Sequence, residues 1–154
     1  NIRCLYASSS AVHEWWINPY AITKKVNEVQ APPNSVGMRF YNVWAEKDSR
    51  SDMLYRMLQE KTAKYLTRHR RDWIHVHDVA RAICFLMPDK YRGVIDIGTG
   101  KTTAVLELAE KMGMGDLPIK EDTPGERDET CADTKELTKL GWRPTINILD
   151  FASV

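Results

Sequence analysis

The stretch Asn18-Pro19-Tyr20-Ala21-Ile22-Thr23-Lys24-Lys25 places a phenol and an ammonium group four residues apart. Pro19 suits the first position of a helix, and in a helix Tyr20 and Lys24 share one face. There the charge of Lys24 favours ionisation of the phenol, so that Tyr20 can serve as an acid or base. On its own the Tyr-x-x-x-Lys pattern more often marks the start of an amphipathic helix. The residues before it therefore decide its meaning.

Three serines, Ser8, Ser9 and Ser10, directly follow a β-prone run over residues 2–7. The run predicts a strand that delivers the serines at its carboxyl end, where open parallel sheets bind ligands. A strand, a serine cluster and then a Tyr-x-x-x-Lys helix form a more specific pattern than the helix alone. This order indicates a reactive site rather than an incidental tyrosine.

Further motifs extend the pattern along the chain. In order they are YASSSAV from Tyr6, NPYAITKK from Asn18, MRFYNVW from Met38, RRDWIHVHDVARAI from Arg70 and VIDIGTGKTTAVLELAEKMG from Val94. Together they resemble an extended short-chain dehydrogenase/reductase. Within that group the chain is similar to the NAD-dependent nucleotide-sugar epimerases and dehydratases, of which UDP-glucose 4-epimerase is the best-known member. The resemblance runs from Arg3 to about Leu149.

The resemblance implies a catalytic group of Ser9, Tyr20 and Lys24. Ser9 takes the family's catalytic Ser/Thr position when the sequences are aligned on Val12. Tyr20 would be the acid/base, and Lys24 would also hold the nicotinamide ribose of the NAD cofactor. The connection between Ser9 and Tyr20 is shorter than in most relatives, and His13-Glu14 replaces the usual Tyr-Gly. This departure is expected to alter the wall of the substrate pocket.

Three substrate-binding residues are also implied by the resemblance. Asn42 would lie beside the diphosphate of the nucleotide sugar, and a strand-end turn is its alternative role. Arg71 matches the family's R-D-x-I-H-V pattern and would pair with a substrate phosphate, because a guanidinium presents a planar fork of donors. Relatives often carry an arginine where this chain has Thr123, before Pro124-Gly125-Glu126. Arg127 is the candidate substitute on the other side of that turn.

The chain has no match to the Gly-rich turn with which the family holds the dinucleotide pyrophosphate. Gly98-Thr99-Gly100 has Thr103 at the third glycine position, and Gly113-Met114-Gly115 follows a helix-like segment. NAD is therefore the implied cofactor, but binding by this chain alone is expected to be poor. We expect the carboxyl-terminal half of a larger enzyme, as a fragment or a naturally short protein, with the amino-terminal Gly-rich half missing.

One α/β domain is predicted over residues 1–154, because a chain of 154 residues with 43% hydrophobic residues can bury one core. The expected fold is a partial Rossmann-like parallel or mixed sheet with the family's small substrate-binding region. Residues 1–50 would be the remnant of the dinucleotide-binding sheet, with the catalytic motif. Residues 51–154 would mainly form the substrate-binding region.

Sequence patterns place the elements as follows. Strands are predicted over residues 2–7, 36–41, 64–67, 73–76 and 94–97, and helices over residues 19–30, 51–58, 78–87, 102–111 and 134–140. Asp78 is expected to cap the third helix, and Thr102 or Thr103 the fourth. Gly141 is expected to end the last helix.

Charge and composition restrict the partners. A net charge of +1 gives no bulk attraction to nucleic acid or to an anionic membrane surface. The basic run Arg68-His69-Arg70-Arg71 is compatible with a solvated turn or a single phosphate site, and a phosphate site is favoured. No apolar run reaches membrane-spanning length and no leader precedes the first strand, so we expect no membrane association.

The metal-ligating residue types are sparse and poorly spaced. The three cysteines, Cys4, Cys84 and Cys131, lack CxxC spacing, so neither a disulfide framework nor a zinc site is indicated, and a cytoplasmic location is expected. His75 and His77 alternate on a predicted strand and would share a face, but no third ligand is in view. We therefore predict no bound metal.

Two functions remain open. The first is an NAD-dependent nucleotide-sugar epimerase or dehydratase, impaired in this chain alone, in which Tyr20 removes a hydroxyl proton while hydride leaves the sugar carbon. The alternative is a cofactor-free α/β module that binds a nucleotide sugar weakly or self-associates. Residues 2–7 would form an unpaired edge strand with Leu5 and Tyr6 exposed, and such an edge pairs readily with another strand. We therefore expect a homo-oligomer.

Overall fold

A computed structural model describes residues 2–47, 50, 53–88, 90–121 and 124–152. Within these residues strands and helices alternate, as an α/β fold requires. The strands are β1 (Cys4–Ser9), β2 (Ser35–Phe40), β3 (Asn42–Trp44), β4 (Arg70–His75), β5 (Gly93–Ile97), β6 (Thr102–Ala104) and β7 (Glu129–Thr130). The helices are α1 (Pro19–Val29), α2 (Leu54–Gln59), α3 (Val76–Leu86), α4 (Val105–Lys111) and α5 (Lys135–Leu140). Two 3-10 turns cover Ser10–Glu14 and Ile148–Asp150.

The first sheet has the order β1-β2-β5, and both pairings are parallel. In its register Ala7 lies opposite Met38, and Met38 lies opposite Ile95. The central strand β2 is largely buried, as expected for a parallel strand covered on both faces. The three strands end at the same edge of the sheet, so the residues that follow them share one region of the surface.

The second sheet is built around β4. Strand β3 pairs with it in parallel, β6 pairs antiparallel, and the short β7 pairs in parallel with Arg70 opposite Glu129 and Arg71 opposite Thr130. Strand β4 thus contacts segments from three distant parts of the chain. This sheet positions the residues of the RRDWIHV motif.

Two apolar cores support the sheets. One core includes Trp44, Leu58 and Leu108, which are at most 1% exposed, and it packs α2 and α4 together. The other includes Ile74 and Leu137, each fully buried, and it joins α3 and α5 to the sheets. Burial of such side chains contributes roughly 2 kcal/mol each.

Strand β1 is an edge of its sheet among the described residues, since it pairs only with β2. The expected exposure of Leu5 and Tyr6 is wrong, because both side chains are half-buried. Leu5 packs against the second core, and the Tyr6 ring lies over Gly37, where a side chain would collide with it. The edge is therefore less apolar than the sequence suggests.

The predicted helix over residues 102–111 is wrong in its first turn. Residues 102–104 form β6, and α4 begins at Val105 without a side-chain cap from Thr102 or Thr103. Both threonines are β-branched and pair with β4, which favours the extended conformation. The predicted strand over residues 64–67 is likewise reduced to one bridge, between Leu66 and Ile119.

Helix α3 begins at Val76, two residues earlier than predicted. This start changes the roles predicted for His75, His77 and Asp78. His75 caps the helix, because its Nδ1 accepts the N–H of His77 at 3.3 Å. His77 lies in α3 and is exposed, so the two histidines do not alternate on one strand.

Asp78 is fully buried in the first turn of α3 rather than at the cap. Its carboxylate accepts the N–H groups of Thr145 (2.8 Å) and Ile146 (3.0 Å). Burial alone would raise the pKa of Asp78, but these hydrogen bonds and one from Arg81 outweigh it and lower the pKa. Asp78 therefore fastens the segment after α5 to α3.

The described helices are short. The longest, α1 and α3, have 11 residues each, fewer than a helix needs to span a bilayer.

Candidate functional site

The serine cluster lies at the carboxyl end of β1 and divides between the interior and the sheet edge. Ser8 is buried and donates to Oε1 of Glu28 at 2.6 Å. Ser9 ends the strand, and its Oγ accepts the N–H of Ala11 at 3.2 Å, which caps the 3-10 turn Ser10–Glu14. Ser9 thus has the place at the strand end that the sequence predicts, and its side chain also caps the turn that follows.

Helix α1 begins at Pro19, as predicted, because Asn18 caps it by accepting the N–H of Ala21 at 2.9 Å. The predicted neighbourhood of Tyr20 and Lys24 is confirmed: Nζ of Lys24 lies 5.7 Å from the centroid of the Tyr20 ring. Tyr20 is 56% exposed. Nζ of Lys24 also donates to the backbone oxygen of Ala7 at 3.2 Å, so the ammonium group joins α1 to β1.

A partly buried ion pair holds α1 against the sheet behind these residues. Arg39 on β2 binds both carboxylate oxygens of Glu28, through Nε and Nη2, at 2.8 Å each. Burial would raise the pKa of Glu28, but the hydrogen bonds from Arg39 and Ser8 outweigh it and lower the pKa. Bidentate pairing of this kind fixes orientation as well as charge. The helix that carries Tyr20 is therefore oriented from its far end.

A second cluster, of buried Tyr41 and Asp96 with the more exposed His13, lies where the first sheet ends. Tyr41 Oη donates to Oδ2 of Asp96 at 2.8 Å, and Nε2 of His13 lies 3.2 Å from that Oη and 3.4 Å from the same Oδ2. Asp133 adds its backbone N–H to Oδ2 at 3.1 Å. Burial and then the Asp96 carboxylate raise the pKa of Tyr41, so the phenol stays protonated and donates.

The charge of Asp96 is compensated by its neighbours. Burial would raise the pKa of Asp96, but the hydrogen bonds from His13, Tyr41 and the Asp133 backbone outweigh it and lower the pKa. No local pattern in the sequence indicates this cluster, because its members are far apart in the chain. The one available signal is His13, which stands where relatives carry a tyrosine.

A cleft of about 350 Å³ lies beside the second sheet. It brings together Asn42 and Arg71, two of the residues predicted to bind substrate. Leu66, Trp73 and Val105 supply apolar surface to its wall. A mostly apolar cleft with a few polar groups is the usual form of a small-molecule site.

Arg71 is anchored on one side and ion-paired on the other, and it is 11% exposed. Its Nη1 donates to three backbone carbonyl oxygens, those of Arg70 (3.1 Å), Arg127 (2.8 Å) and Asp128 (3.2 Å). Its Nη2 donates to Nδ1 of His69 at 2.7 Å and to Oε2 of Glu126 at 3.1 Å. Burial lowers the pKa of the Arg71 guanidinium, and the Glu126 carboxylate offsets part of that effect. All of these partners are within the chain.

His69 also lines the cleft, next to Arg71. Burial and then the charge of Arg71 lower the pKa of His69, so its ring is neutral near neutral pH. Its Nδ1 can then accept from Arg71, which assigns the remaining ring proton to Nε2. In the sequence, His69 stands only as part of a basic run, and no local pattern indicates its place beside Arg71.

The basic run is not a free positive patch. Each arginine pairs with a glutamate from later in the chain: Arg68 with Glu121 (3.1 Å), Arg70 with Glu129 (3.5 Å) and Arg71 with Glu126 (3.1 Å). Arg70 and Arg71 lie in β4, so the run is also not a turn.

Arg127 lies outside the cleft wall. It borders an adjoining open depression, and its Nη2 donates to the backbone oxygen of Ser10 at 2.9 Å. Asn18, at the start of α1, donates from Nδ2 to the backbone oxygen of Gly125 at 3.3 Å. The 124–128 loop thus contacts the segment that includes Ser10 and Asn18 and, through Glu126, the cleft. Thr123, the departure noted in the sequence, lies outside the described residues.

The glycines at residues 98 and 100 face a carboxylate of the chain itself. Buried Asp72 accepts the N–H groups of Thr99 (2.7 Å), Gly100 (2.8 Å) and Ala132 (3.1 Å). Gly98 is needed because a Cβ there would lie 2.7 Å from Oδ2 of Asp72. These N–H groups are therefore not a cradle for a pyrophosphate.

Among the described residues, Tyr20 and Lys24 are the pair for which the sequence predicts a contact with the nicotinamide ribose of NAD. Among those residues no cluster of three His, Cys, Asp or Glu side chains could hold a metal ion. His75 instead directs Nε2 at Oε2 of Glu46, at 2.9 Å.

Comparison with known protein families assigns the chain to one of them. Residues 3–98 match the sequence model of the NAD dependent epimerase/dehydratase family. The chain belongs to this family. The matched span contains Ser9, Tyr20 and Lys24 as well as Asn42 and Arg71.

Two curated relatives in this family illustrate the range of similarity. A putative UDP-glucose 4-epimerase of Methanocaldococcus jannaschii is 27% identical over 153 residues, which cover 86% of this chain and 50% of the relative. GDP-L-fucose synthase 1 of Arabidopsis thaliana is 33% identical over 92 residues, which cover 52% of this chain and 27% of the relative. The chain thus spans half or less of the length of these proteins.

Solved structures of epimerases share the fold. The UDP-glucose 4-epimerase of Thermotoga maritima with UDP-glucose gives a TM-score of 0.82 at 19% identity and covers 99% of this chain and 62% of its own. The UDP-glucose 4-epimerase of Thermus thermophilus with NAD gives 0.74 at 19% identity, covering 98% and 62%. At these identities the likeness establishes a Rossmann-like α/β fold and nothing finer.

Proposed function

We propose that the protein acts on nucleotide sugars as an NAD-dependent epimerase or dehydratase, with Ser9, Tyr20 and Lys24 as its catalytic group. The observation that carries the proposal is the contact of Lys24 with both Tyr20 and the backbone of β1, one strand residue before the serines. A phenol and an ammonium group beside the strand that ends in Ser9 support a reactive site, because α/β sheets bind ligands at the carboxyl ends of their strands.

Each residue of the group has a chemical role. Tyr20 removes the proton of a sugar hydroxyl, Ser9 donates a hydrogen bond to that oxygen, and Lys24 holds the ribose of the cofactor next to Tyr20. NAD, when bound, would accept a hydride from the carbon that bears this hydroxyl, so that the alcohol would be oxidised to a ketone. Lys24 already has a backbone partner in Ala7, which keeps its ammonium group beside the strand.

The cleft is the proposed binding site for the rest of the substrate. Arg71 and Asn42 would contact the diphosphate, and the apolar wall would receive the nucleotide base. Arg127 would act from the adjoining depression. The choice of a nucleotide sugar is supported by the epimerase structure that contains UDP-glucose, and the choice of NAD by the one that contains NAD.

The alternative proposal is a cofactor-free module that binds a nucleotide sugar weakly or self-associates. It would divide into a remnant of the dinucleotide-binding sheet over residues 1–50 and a mainly substrate-binding region over residues 51–154. The observation in its favour is an apolar stripe on α1 (Ile22, Val26 and Val29), whose members are 43%, 43% and 74% exposed, next to the edge strand β1. A cytoplasmic location remains a prediction from the cysteines.

Titration with NAD separates the two proposals. Saturable NAD binding to the purified chain would support the enzyme. In that case Lys24→Met should weaken NAD binding about tenfold or more, since a charged hydrogen bond is lost. Lys25→Met, the neighbouring lysine on α1, is the matched control and should leave binding unchanged. An absence of NAD binding would favour the cofactor-free module.

A further inference from the structure

We propose that a pocket beside Trp73, separate from the cleft, binds a small carboxylate that carries a short apolar tail. The pocket has a volume of about 190 Å³ and lies between the turn after β5, strand β6 and residues 144–148. Trp73 lines both the pocket and the cleft, whereas Lys101 and Asn147 line the pocket but not the cleft. The inference therefore goes beyond the proposed function and does not rest on it.

Two buried carboxylates fix walls of this pocket before any ligand binds. Asp72 accepts the N–H of Thr99 at 2.7 Å, which holds the turn after β5 in place. Asp78 accepts the N–H of Thr145 at 2.8 Å, which fastens the segment after α5 to helix α3. Walls that are already ordered need not lose freedom when a ligand binds, and small-molecule sites are usually preformed in this way.

The polar side chains of the pocket favour an anionic ligand. Lys101 is the one charged residue among the described residues that line it, and within the described part of the chain its ammonium group has no ion-pair partner. The hydroxyls of Thr99 and Thr145 already donate to buried carboxylates of the chain. The side-chain oxygen of Asn147 accepts a backbone N–H, so its NH2 group is the part that can serve a ligand. An ammonium group and an amide NH2 group together suit a carboxylate.

The rest of the wall favours a ligand with an apolar part. Trp73, Pro144, Ile146 and Ile148 supply apolar surface to the pocket. Inorganic phosphate would lose water against this surface and gain no contact that replaces it. A carboxylate with a hydrocarbon tail can pair with Lys101 and place its tail against the apolar wall, where each buried methylene strengthens binding by up to about fourfold.

The test is NMR titration of the full chain with butyrate, followed through the indole N–H of Trp73 and the backbone N–H groups of residues 101–103. We expect saturable shifts with a Kd on the order of a few millimolar, because the ligand is small. Butanamide has the same shape without the charge and should bind about fivefold more weakly. Acetate lacks most of the tail and should bind about tenfold more weakly. Inorganic phosphate should also bind more weakly than butyrate.

Two lysine variants show whether the signal comes from this pocket. Lys101→Met removes the charge and keeps a side chain of similar length, so it should weaken butyrate binding about fivefold. Lys111→Met is the matched control, because Lys111 is exposed on α4 and does not line the pocket. This control should bind butyrate like the wild type. Both substitutions lie at exposed positions, so both variants should fold.

Three results would overturn the inference: butyrate shifts that do not saturate, equal binding of butyrate and butanamide, or normal butyrate binding by Lys101→Met. Tighter binding of phosphate than of butyrate would overturn it as well. UDP-glucose added to the same samples tests the cleft separately. Failure of this inference therefore leaves the proposed function intact.

Discussion

Three buried aspartates hold distant segments of this protein together. Asp72, Asp78 and Asp96 each accept backbone N–H groups from segments far along the chain. Such a group is costly to bury and becomes favourable only when its hydrogen bonds are complete. Each of these residues therefore fixes where a distant segment lies, and a change at any of them should have large effects.

Replacing Asp78 with Asn should destabilise the fold by about 2–3 kcal/mol, because an amide cannot accept all the hydrogen bonds from Thr145, Ile146 and Arg81. Urea unfolding followed by circular dichroism measures the loss. Asp116→Asn, at an exposed position, should change the free energy of unfolding by less than about 0.5 kcal/mol. Equal stability of the two variants would contradict the role given to Asp78.

The pH dependence of stability should follow from the same carboxylate. The pKa of Asp78 in the folded state is below its ordinary value of 3.8, so its contribution is complete well above pH 3.8. The contribution is lost as the pH falls from there through the folded-state pKa. Asp78→Asn should therefore lose less stability than the wild type on acidification. Parallel pH profiles of the two proteins would contradict this.

At the scale of elements, the turn after β5 depends on the close approach of backbone to Asp72. A Cβ at Gly98 would lie 2.5 Å from the Cβ of buried Ala132 and 2.7 Å from Oδ2 of Asp72. Gly98→Ala should therefore cost about 2–3 kcal/mol of stability, measured by thermal unfolding. Gly115→Ala, whose Cβ would be at ordinary contact distance from Glu110, is the control and should cost less than about 1 kcal/mol.

Elements with local signals could be predicted from the sequence. Helix α1 begins where Asn18 and Pro19 indicate, and Gly141 ends α5 in the left-handed conformation, with φ +101°. Strands β6 and β7 could not be predicted, because their pairing with β4 depends on segments far away in the chain. That pairing and the β-branched side chains of Thr102 and Thr103 together favour a strand where the sequence pattern predicts the first turn of a helix.

The candidate site shows the same difference between features with a local sequence signal and features that depend on distant segments. The neighbourhood of Tyr20 and Lys24 follows from helical spacing, and it could be predicted. The pairing of Arg71 with Glu126 could not be predicted, because it joins residues 55 positions apart and no local pattern encodes it. Long-range contacts of this kind decide which charges are free.

At the scale of the whole molecule, the proposed self-association makes a prediction about the α1 stripe. Burying Ile22, Val26 and Val29 against a second copy would remove apolar surface from water. Sedimentation equilibrium should show a dimer or larger species at high concentration, and Val26→Lys should shift it towards the monomer. Thr23→Lys, at an exposed position outside the stripe, should not. A monomeric wild type at high concentration would exclude self-association.

The most direct test of the whole account is calorimetric titration of the chain with UDP-glucose, in the wild type and in Asn42→Ala. The account predicts saturable binding that weakens about tenfold in this variant, because Asn42 lines the cleft beside Arg71. Asn27→Ala, at an exposed position on α1, should bind like the wild type. No saturable binding, or equal binding by Asn42→Ala, would show that the cleft is not the nucleotide-sugar site.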